Sequence, residues 1–209
     1  MTATYNSQDL NVDFLDLPRL FGRIAPLHVD LGCGDGLFLS QMGQIHPEKN
    51  FLGIERLTGR VAKACRKSAQ LENVRVLKVE SSYAVRYLLR ENVVEAFYLF
   101  FPDPWPKRRH HRRRIVTLDF LKSIQAALSR RGMLHIATDE LEYFLHIQQV
   151  VAELGRLNQS SLEIVQHDNP GLPKTRFERR FMDAGAAIYR LSLRKISPVT
   201  NALARQVSG

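Results

Sequence analysis

The sequence predicts an α/β domain on a mostly parallel sheet of seven strands, with helices on both faces and an antiparallel pair at one edge. Three observations predict it. After a polar, irregular start of roughly twenty residues, short apolar runs alternate with longer amphipathic ones, the pattern of βα units. The runs close on polar or acidic residues, and in open α/β sheets ligands collect beyond the carboxyl ends of the strands. The last two apolar runs are joined by a turn-rich, charged connection, which suits antiparallel neighbours.

In chain order, LHVDL (27–31) reads as a buried strand and GLFLSQMGQI as the helix after it. NFLGIE (50–55) is the second strand, and RLTGRVAKACRKSAQL has helical periodicity with a basic wet face. VRVLKVE (74–80) follows, then a helix from about Tyr83 to Arg90, then VEAFYLFF (94–101). IVTLDFLKSIQAALS is a helix that Gly132 is placed to end. MLHIATD (133–139) is the fifth strand and LEYFLHIQQVVAEL a further helix. LEIVQHD (162–168), NPGLP, the charged segment TRFERRF and AAIYRLSLRK (186–195) make two strands and a long connection. The organisation expected is an N-terminal arm over 1–24, one domain over 25–195 and a loose C-terminal tail over 196–209.

At 209 residues and 44% hydrophobic, the chain suits one sizeable core. MTATYNSQDL lacks the features of a signal peptide and no run reaches a bilayer span, so a cytoplasmic protein is expected, with no membrane partner. Cys33 and Cys65 read as two reduced thiols, and no metal site is suggested. Of the formal +9, six Lys or Arg fall in Lys107 to Arg114 without one acid, leaving +3 for the rest. So local a charge indicates a docking surface for a polyanion.

The first strand runs into Asp30-Leu-Gly-Cys-Gly-Asp-Gly36, where Gly32, Gly34 and Gly36 let backbone approach a ligand at a helix start. Glu55 closes the second strand nineteen residues after Gly36, where an acid accepts the hydroxyls of an adenosine ribose. The spacing is G-x-G-x-G rather than the G-x-G-x-x-G of dinucleotide sites, which weakens a dehydrogenase reading. Adenosylmethionine has an amino group and a sulfonium centre, both of which favour carboxylates such as Asp30. The bland alternative is a tight β-to-α turn without ligand.

After the fourth strand, Pro102-Asp103-Pro104-Trp105-Pro106 forces an extended, stiff turn that holds Asp103 and Trp105 at the carboxyl rim. An indole can stack on a base. Lys107 to Arg114 offers up to six phosphate contacts, against the alternative of a solvated basic loop. His110 and His111 are adjacent and poorly placed to share a metal, so they read as RNA or solvent contacts.

PDPWPKRRHHRRR, with DLGCGDG and GIE upstream and ATDE and TRFE downstream, resembles the bacterial tRNA (guanine-N7-)-methyltransferase family over about residues 27–195. The resemblance implies a Rossmann-like class I methyltransferase fold with S-adenosyl-L-methionine as donor and S-adenosyl-L-homocysteine as by-product. It implies methylation of the variable-loop guanine at tRNA position 46. Asp30 and Glu55 fall on the family's cofactor acids, with Gly32 and Gly34 between them. Asp103 falls on the acid treated as catalytic and cofactor-contacting. Lys107, Asp139, Thr175, Arg176, Phe177 and Glu178 match substrate-binding positions. Arg109, His110, His111, Arg112, Arg113 and Arg114 lie in the family's RNA-contacting stretch, and Trp105 is counted with them as an RNA contact on the stacking capacity of its indole. The chain departs from the family at Ser82 and Tyr83, where an adenine-contacting Asp or Asn is common.

Guanine N7 carries an in-plane lone pair and no hydrogen, so methylation there needs no general base. Catalysis reduces to in-line positioning and to managing the charge that passes to the purine. Asp103 is the candidate stabiliser, and Asp139 or Glu178 could accept from the N1 and N2 hydrogens of the base. Asp139 could equally cap the following helix. The rival readings are an exocyclic-amine methyltransferase and an RNA-binding module that has lost turnover. Neither oligomeric state nor tRNA preference is legible.

Overall fold

The computed structural model describes residues 14–157, 162–165 and 172–196. Strands β1 (Leu27–Leu31), β2 (Asn50–Glu55), β3 (Val74–Lys78), β4 (Val94–Phe100), β5 (Leu128–Thr138), β6 (Leu162–Val165) and β7 (Tyr189–Lys195) form one sheet in the order β3-β2-β1-β4-β5-β7-β6. Pairing is parallel from β3 through β5, and β7 runs antiparallel to both β5 and β6. This is the expected sheet. Strands β1 and β2 are buried at every position, as central strands covered by helices on both faces are, and that burial includes the polar His28, Asp30, Asn50 and Glu55.

Helices α2 (Leu37–Ile45) and α3 (Thr58–Lys67) cover one face, burying Phe38, Leu39, Met42, Val61 and Ala64 against Phe51, Val74, Val76 and Tyr98. The other face is covered by α1 (Leu17–Phe21), α5 (Leu118–Ala127), α6 (Leu141–Leu157) and the turn α4 (Ser81–Tyr83), which runs on as a π turn through Ala84–Leu88. Thr117 caps α5 by accepting the Phe120 N–H at 3.2 Å. Among the described residues no helix is long and apolar enough to cross a membrane.

Three features differ from the sequence reading. The expected arm is not irregular up to residue 24: Phe21 enters the core, Arg75 Nε donates to the Leu20 carbonyl at 2.9 Å, and Leu15 N–H donates to Leu88 O at 2.8 Å. Residues 1–13 and 197–209 lie outside the described residues, as does the end of the strand expected over 162–168. Gly132 does not end α5. The helix passes into β5 at Leu128, and Gly132 lies in an irregularity where β5 skips from pairing at Leu128 to pairing at Met133. A Cβ there would stand 3.0 Å from the Val94 carbonyl, which is why glycine occupies it. The segment around TRFERRF, read as connection, is helix α7 (Arg176–Asp183).

A polar seam crosses the sheet interior. His28 Nδ1 and the Tyr98 hydroxyl are 2.9 Å apart, Tyr98 stacks on His135, and His135 Nδ1 meets the Ser192 hydroxyl at 3.0 Å. These residues come from β1, β4, β5 and β7 in turn, and all four are buried. Burial first, then Lys49, pushes the His28 imidazole down to about 4, so it is neutral at physiological pH.

Candidate active site

Strand order reverses between β1 and β4, and the crevice above that point is where an open α/β sheet receives a ligand. Four acids stand at or just past the carboxyl ends of the four adjacent strands there: Glu55 on β2, Asp30 on β1, Asp103 after β4 and Asp139 after β5.

The glycine turn is held by backbone. Gly32 and Cys33 both donate N–H to the Ile54 carbonyl, at 2.8 and 3.0 Å, tying the loop to the end of β2. Gly36 has φ 77°, and a Cβ on it would lie 2.6 Å from the Ala64 Cα, so the residue serves both the left-handed turn and the close approach of α3. Glu55 is buried and accepts the Gly34 N–H at 3.2 Å and the Leu57 N–H at 2.9 Å, with Arg60 3.8 Å from one oxygen. Two amides do not exhaust a carboxylate, which has about four acceptor directions.

Asp30 is different. It is 5% exposed, and no described residue donates a hydrogen bond to its carboxylate. Burial first, and then the negative charge of Glu55, pushes it up to about 7. A buried, unpartnered carboxylate beside a second one is an arrangement that a cationic ligand would relieve. Cys33, between the glycines, has its thiol pushed far up by burial and by both acids, so it is inert packing, and both cysteines are free.

Asp35 carries the turn outward. Burial raises its carboxyl, but the hydrogen bond and charge of Lys67, with Leu37 N–H and Arg176, outweigh that and leave it below the usual carboxylate range. Lys67 Nζ lies 2.6 Å and Arg176 3.8 Å from the same Asp35 oxygen.

Ser82 and Tyr83 head α4 beyond β3, where Glu80 accepts both their N–H groups at 3.0 and 2.8 Å. An acid therefore does stand in this turn, two residues upstream of Ser82, with its carboxylate used as a cap.

The loop after β4 is strained where the sequence is stiff. Phe101 has φ 53° and Trp105 φ 46°, a region that large L-residues avoid, and the two flank exposed Asp103. Trp105 is half-buried: the Arg113 guanidinium lies 4.8 Å from its ring centroid and His110 meets its edge. One face of the expected stacking platform is thus already covered by cation. Residues Arg108–Arg113 form a 3-10 helix, and Lys107, Arg108, Arg109 and Arg112 are exposed on it or beside it.

Arg114 departs from the expectation for its stretch. It is 3% exposed, its Nε donates to the Pro104 carbonyl at 2.8 Å, its two terminal nitrogens donate to the two oxygens of Glu142, and it stacks on Tyr143. It clamps the Pro-Asp-Pro-Trp turn to α6 instead of facing solvent. His111 is half-buried, 3.8 Å from the same Glu142. Glu142 and Tyr143 were not singled out by sequence; an acid in the first turn of a helix is too common to mark a clamp.

Asp139 does not cap α6. Thr138 Oγ1 accepts the Glu140 N–H at 3.2 Å, the Glu140 carbonyl takes the first helical bond from Phe144, and Asp139 has no ion pair or hydrogen bond among the described residues. Thr175 caps α7 by accepting the Glu178 N–H at 3.0 Å, and Glu178 is bound by Arg190 of β7. Helix α7 joins the site at both ends: Arg176 reaches Asp35, and Phe181 packs on Phe101 with ring centroids 5.3 Å apart. Phe177 is exposed. The structure thus gathers Asp30, Gly32, Gly34 and Glu55 at the ends of β1 and β2, with Gly34 bonded to Glu55, and brings Arg176 to Asp35 of the same glycine turn. It sets Asp103, Trp105, Lys107 and Asp139 on the adjoining rim, and leaves Ser82 and Tyr83 beyond β3 at the far side.

A parallel sheet with an antiparallel final strand, a glycine turn and paired acids at its switch point define a class I methyltransferase. Solved structures of that class share the architecture: an antibiotic-related methyltransferase matches at TM-score 0.61 and 18% identity over 91% of this chain and 96% of that one. The 16S rRNA methyltransferase KamB matches at TM-score 0.60 and 17% identity over 88% and 95%. The family model described as "Putative methyltransferase" matches residues 24–191. Three relatives named tRNA (guanine-N(7)-)-methyltransferase are similar in sequence. That of Thermotoga maritima is 35% identical over 87% of this chain, which spans 58% of that relative's length. Those of Halalkalibacterium halodurans and Leifsonia xyli are 37% and 39% identical over 82% and 88% of this chain, which spans 79% and 85% of them. The chain belongs to the tRNA (guanine-N7-)-methyltransferase family.

Proposed function

We propose that this protein transfers a methyl group to N7 of the variable-loop guanine, position 46, of tRNA in the cytoplasm, using S-adenosyl-L-methionine. The observation that carries the reading is buried Asp30, unpartnered beside Glu55 at the sheet's switch point, with a cationic helix on the adjoining rim. The donor supplies a methyl group on a positively charged sulfur. Asp30 accepts from the donor's ammonium group, and Glu55 uses its free acceptor directions on the ribose hydroxyls. Ser82 and Tyr83, whose amides Glu80 holds in place, shape the adenine end. Asp103 faces the purine and stabilises the positive charge it gains. Asp139, free of intramolecular pairing among the described residues, accepts from the N1 and N2 hydrogens of guanine; Glu178, held by Arg190, positions α7. Lys107, Arg109 and Arg112 take phosphates, while Arg113 and His110 brace Trp105 for base stacking.

The test is incubation with labelled adenosylmethionine and unmodified tRNA, followed by nucleoside mass spectrometry. 7-Methylguanosine at the variable loop is expected. A product on an exocyclic amine, or donor binding without any product, would reject the reading.

A further inference from the structure

We propose that the outer faces of α3 and α7 form a second cationic surface, apart from the 3-10 helix, that holds another stretch of the tRNA sugar–phosphate backbone. This rests on tRNA being the substrate. Between Arg56 and Leu71 the chain carries five cations and no acid: Arg56, Arg60, Lys63, Arg66 and Lys67. Because the rest of the molecule is richer in acids, the overall charge conceals this cluster.

Two of the five are engaged at the site, Arg60 near Glu55 and Lys67 on Asp35. Arg56, Lys63 and Arg66 are exposed and have no acid partner among the described residues. On α3, the two cations without an acid, Lys63 and Arg66, stand three residues apart, so like charges face one another along one side. Such spacing destabilises a helix unless something external neutralises it. Helix α7 and its approach show the same bias: Lys174 just before the cap, and Arg179 and Arg180 on the helix, are exposed and without an acid partner among the described residues.

The two helices meet at one point. Lys67 of α3 and Arg176 of α7 share a single Asp35 oxygen, so the two basic helices are bridged at one carboxylate. Asp35 is also the aspartate of the glycine turn, which places the combined surface beside the donor acids. Continuity with the site is why the occupant is the tRNA backbone and not an acidic protein.

The experiment measures tRNA affinity of the full chain against salt for Lys63→Gln/Arg66→Gln and for Arg108→Gln/Arg109→Gln/Arg112→Gln. If both α3 cations contact duplex phosphates, losing them makes the logarithmic salt slope shallower by about 1.8, at about 0.9 per contact. The wild-type advantage should then shrink roughly twelvefold between about 50 and 200 mM salt. The charge-keeping variant Lys63→Arg/Arg66→Lys should bind as wild type, and all should retain donor binding and lose no melting temperature. An unchanged affinity and slope for the α3 variant, with loss confined to the 3-10 variant, would overturn the second surface and leave the tRNA reading intact. Equal loss in the charge-keeping variant would also overturn it. No loss in either glutamine variant, with no 7-methylguanosine formed by the wild type, would overturn both.

Discussion

Asp30 offers a measurement that ties burial to ligand chemistry. Its carboxyl is pushed to about 7 by burial and by Glu55, so at pH 6 about nine chains in ten hold it protonated. Pairing with the donor's ammonium group requires the ionised form. Each binding event at pH 6 should therefore release about 0.9 proton, and affinity should fall about fivefold from pH 7 to pH 6 and about tenfold over the next unit. Below about pH 7 the ligand's own amine stays protonated and does not obscure the effect. The ligand-free protein responds the opposite way. The native carboxyl holds its proton to higher pH than the unfolded one, so the stability it contributes is complete below about 3.8 and is lost as pH rises through about 7. Calorimetry with adenosylmethionine in buffers of different ionisation enthalpy gives the proton count directly. Asp30→Asn should bind more weakly but without this pH dependence, and should lose less thermal stability than wild type between pH 5 and about 8. Flat affinity between pH 5 and 7 in the wild type, or the same slope in Asp30→Asn, would refute the reasoning.

Asp103→Ala should lower the single-turnover methyl-transfer rate by about 100-fold or more while changing tRNA affinity less than about threefold, because an electrostatic stabiliser acts on the transition state; equal losses in both would contradict its role. Glu142→Gln should free the Arg114 clamp, raise the tRNA KM and speed tryptic cleavage between Arg108 and Arg113, as read by mass spectrometry of timed digests. Gly36→Ala forces a left-handed alanine against the Ala64 backbone, so it should lower stability by at least about 1–2 kcal/mol in urea titration and weaken donor binding.

Much of the sheet was legible because a buried parallel strand is centred on a short apolar run, as in NFLGIE, where Phe51 to Ile54 are bounded by Asn50 and Glu55. The donor acids were legible for the same reason: they stand where such runs stop. Helix α7 was missed because it is only eight residues long and buries none of them fully, so the Phe177–Phe181 pair, four apart among charged neighbours, is too short an apolar face to stand out from a charged connection. Its one local signature, Thr175 three residues before Glu178, is a capping box that sequence alone could have supplied. Arg114 was misread because composition cannot distinguish one arginine among six cations; only its reach to Glu142, 28 residues on, sets it apart. The seam from His28 to Ser192 was invisible for a similar reason, since its members lie on four strands and meet only once the register is set.

The placement of β7 has a consequence for how the molecule is made. Although it is the last strand in the chain among those described, it lies inside the sheet, between β5 and β6. While the ribosome is still translating, β5 presents an open edge and β6 has nothing to pair with, a state prone to wrong association. Arg190 of β7 also ties α7 to the sheet through Glu178, so the α7 wall gains this tie only once β7 is in place. A product truncated before β7 would therefore display half a cradle and one exposed seam.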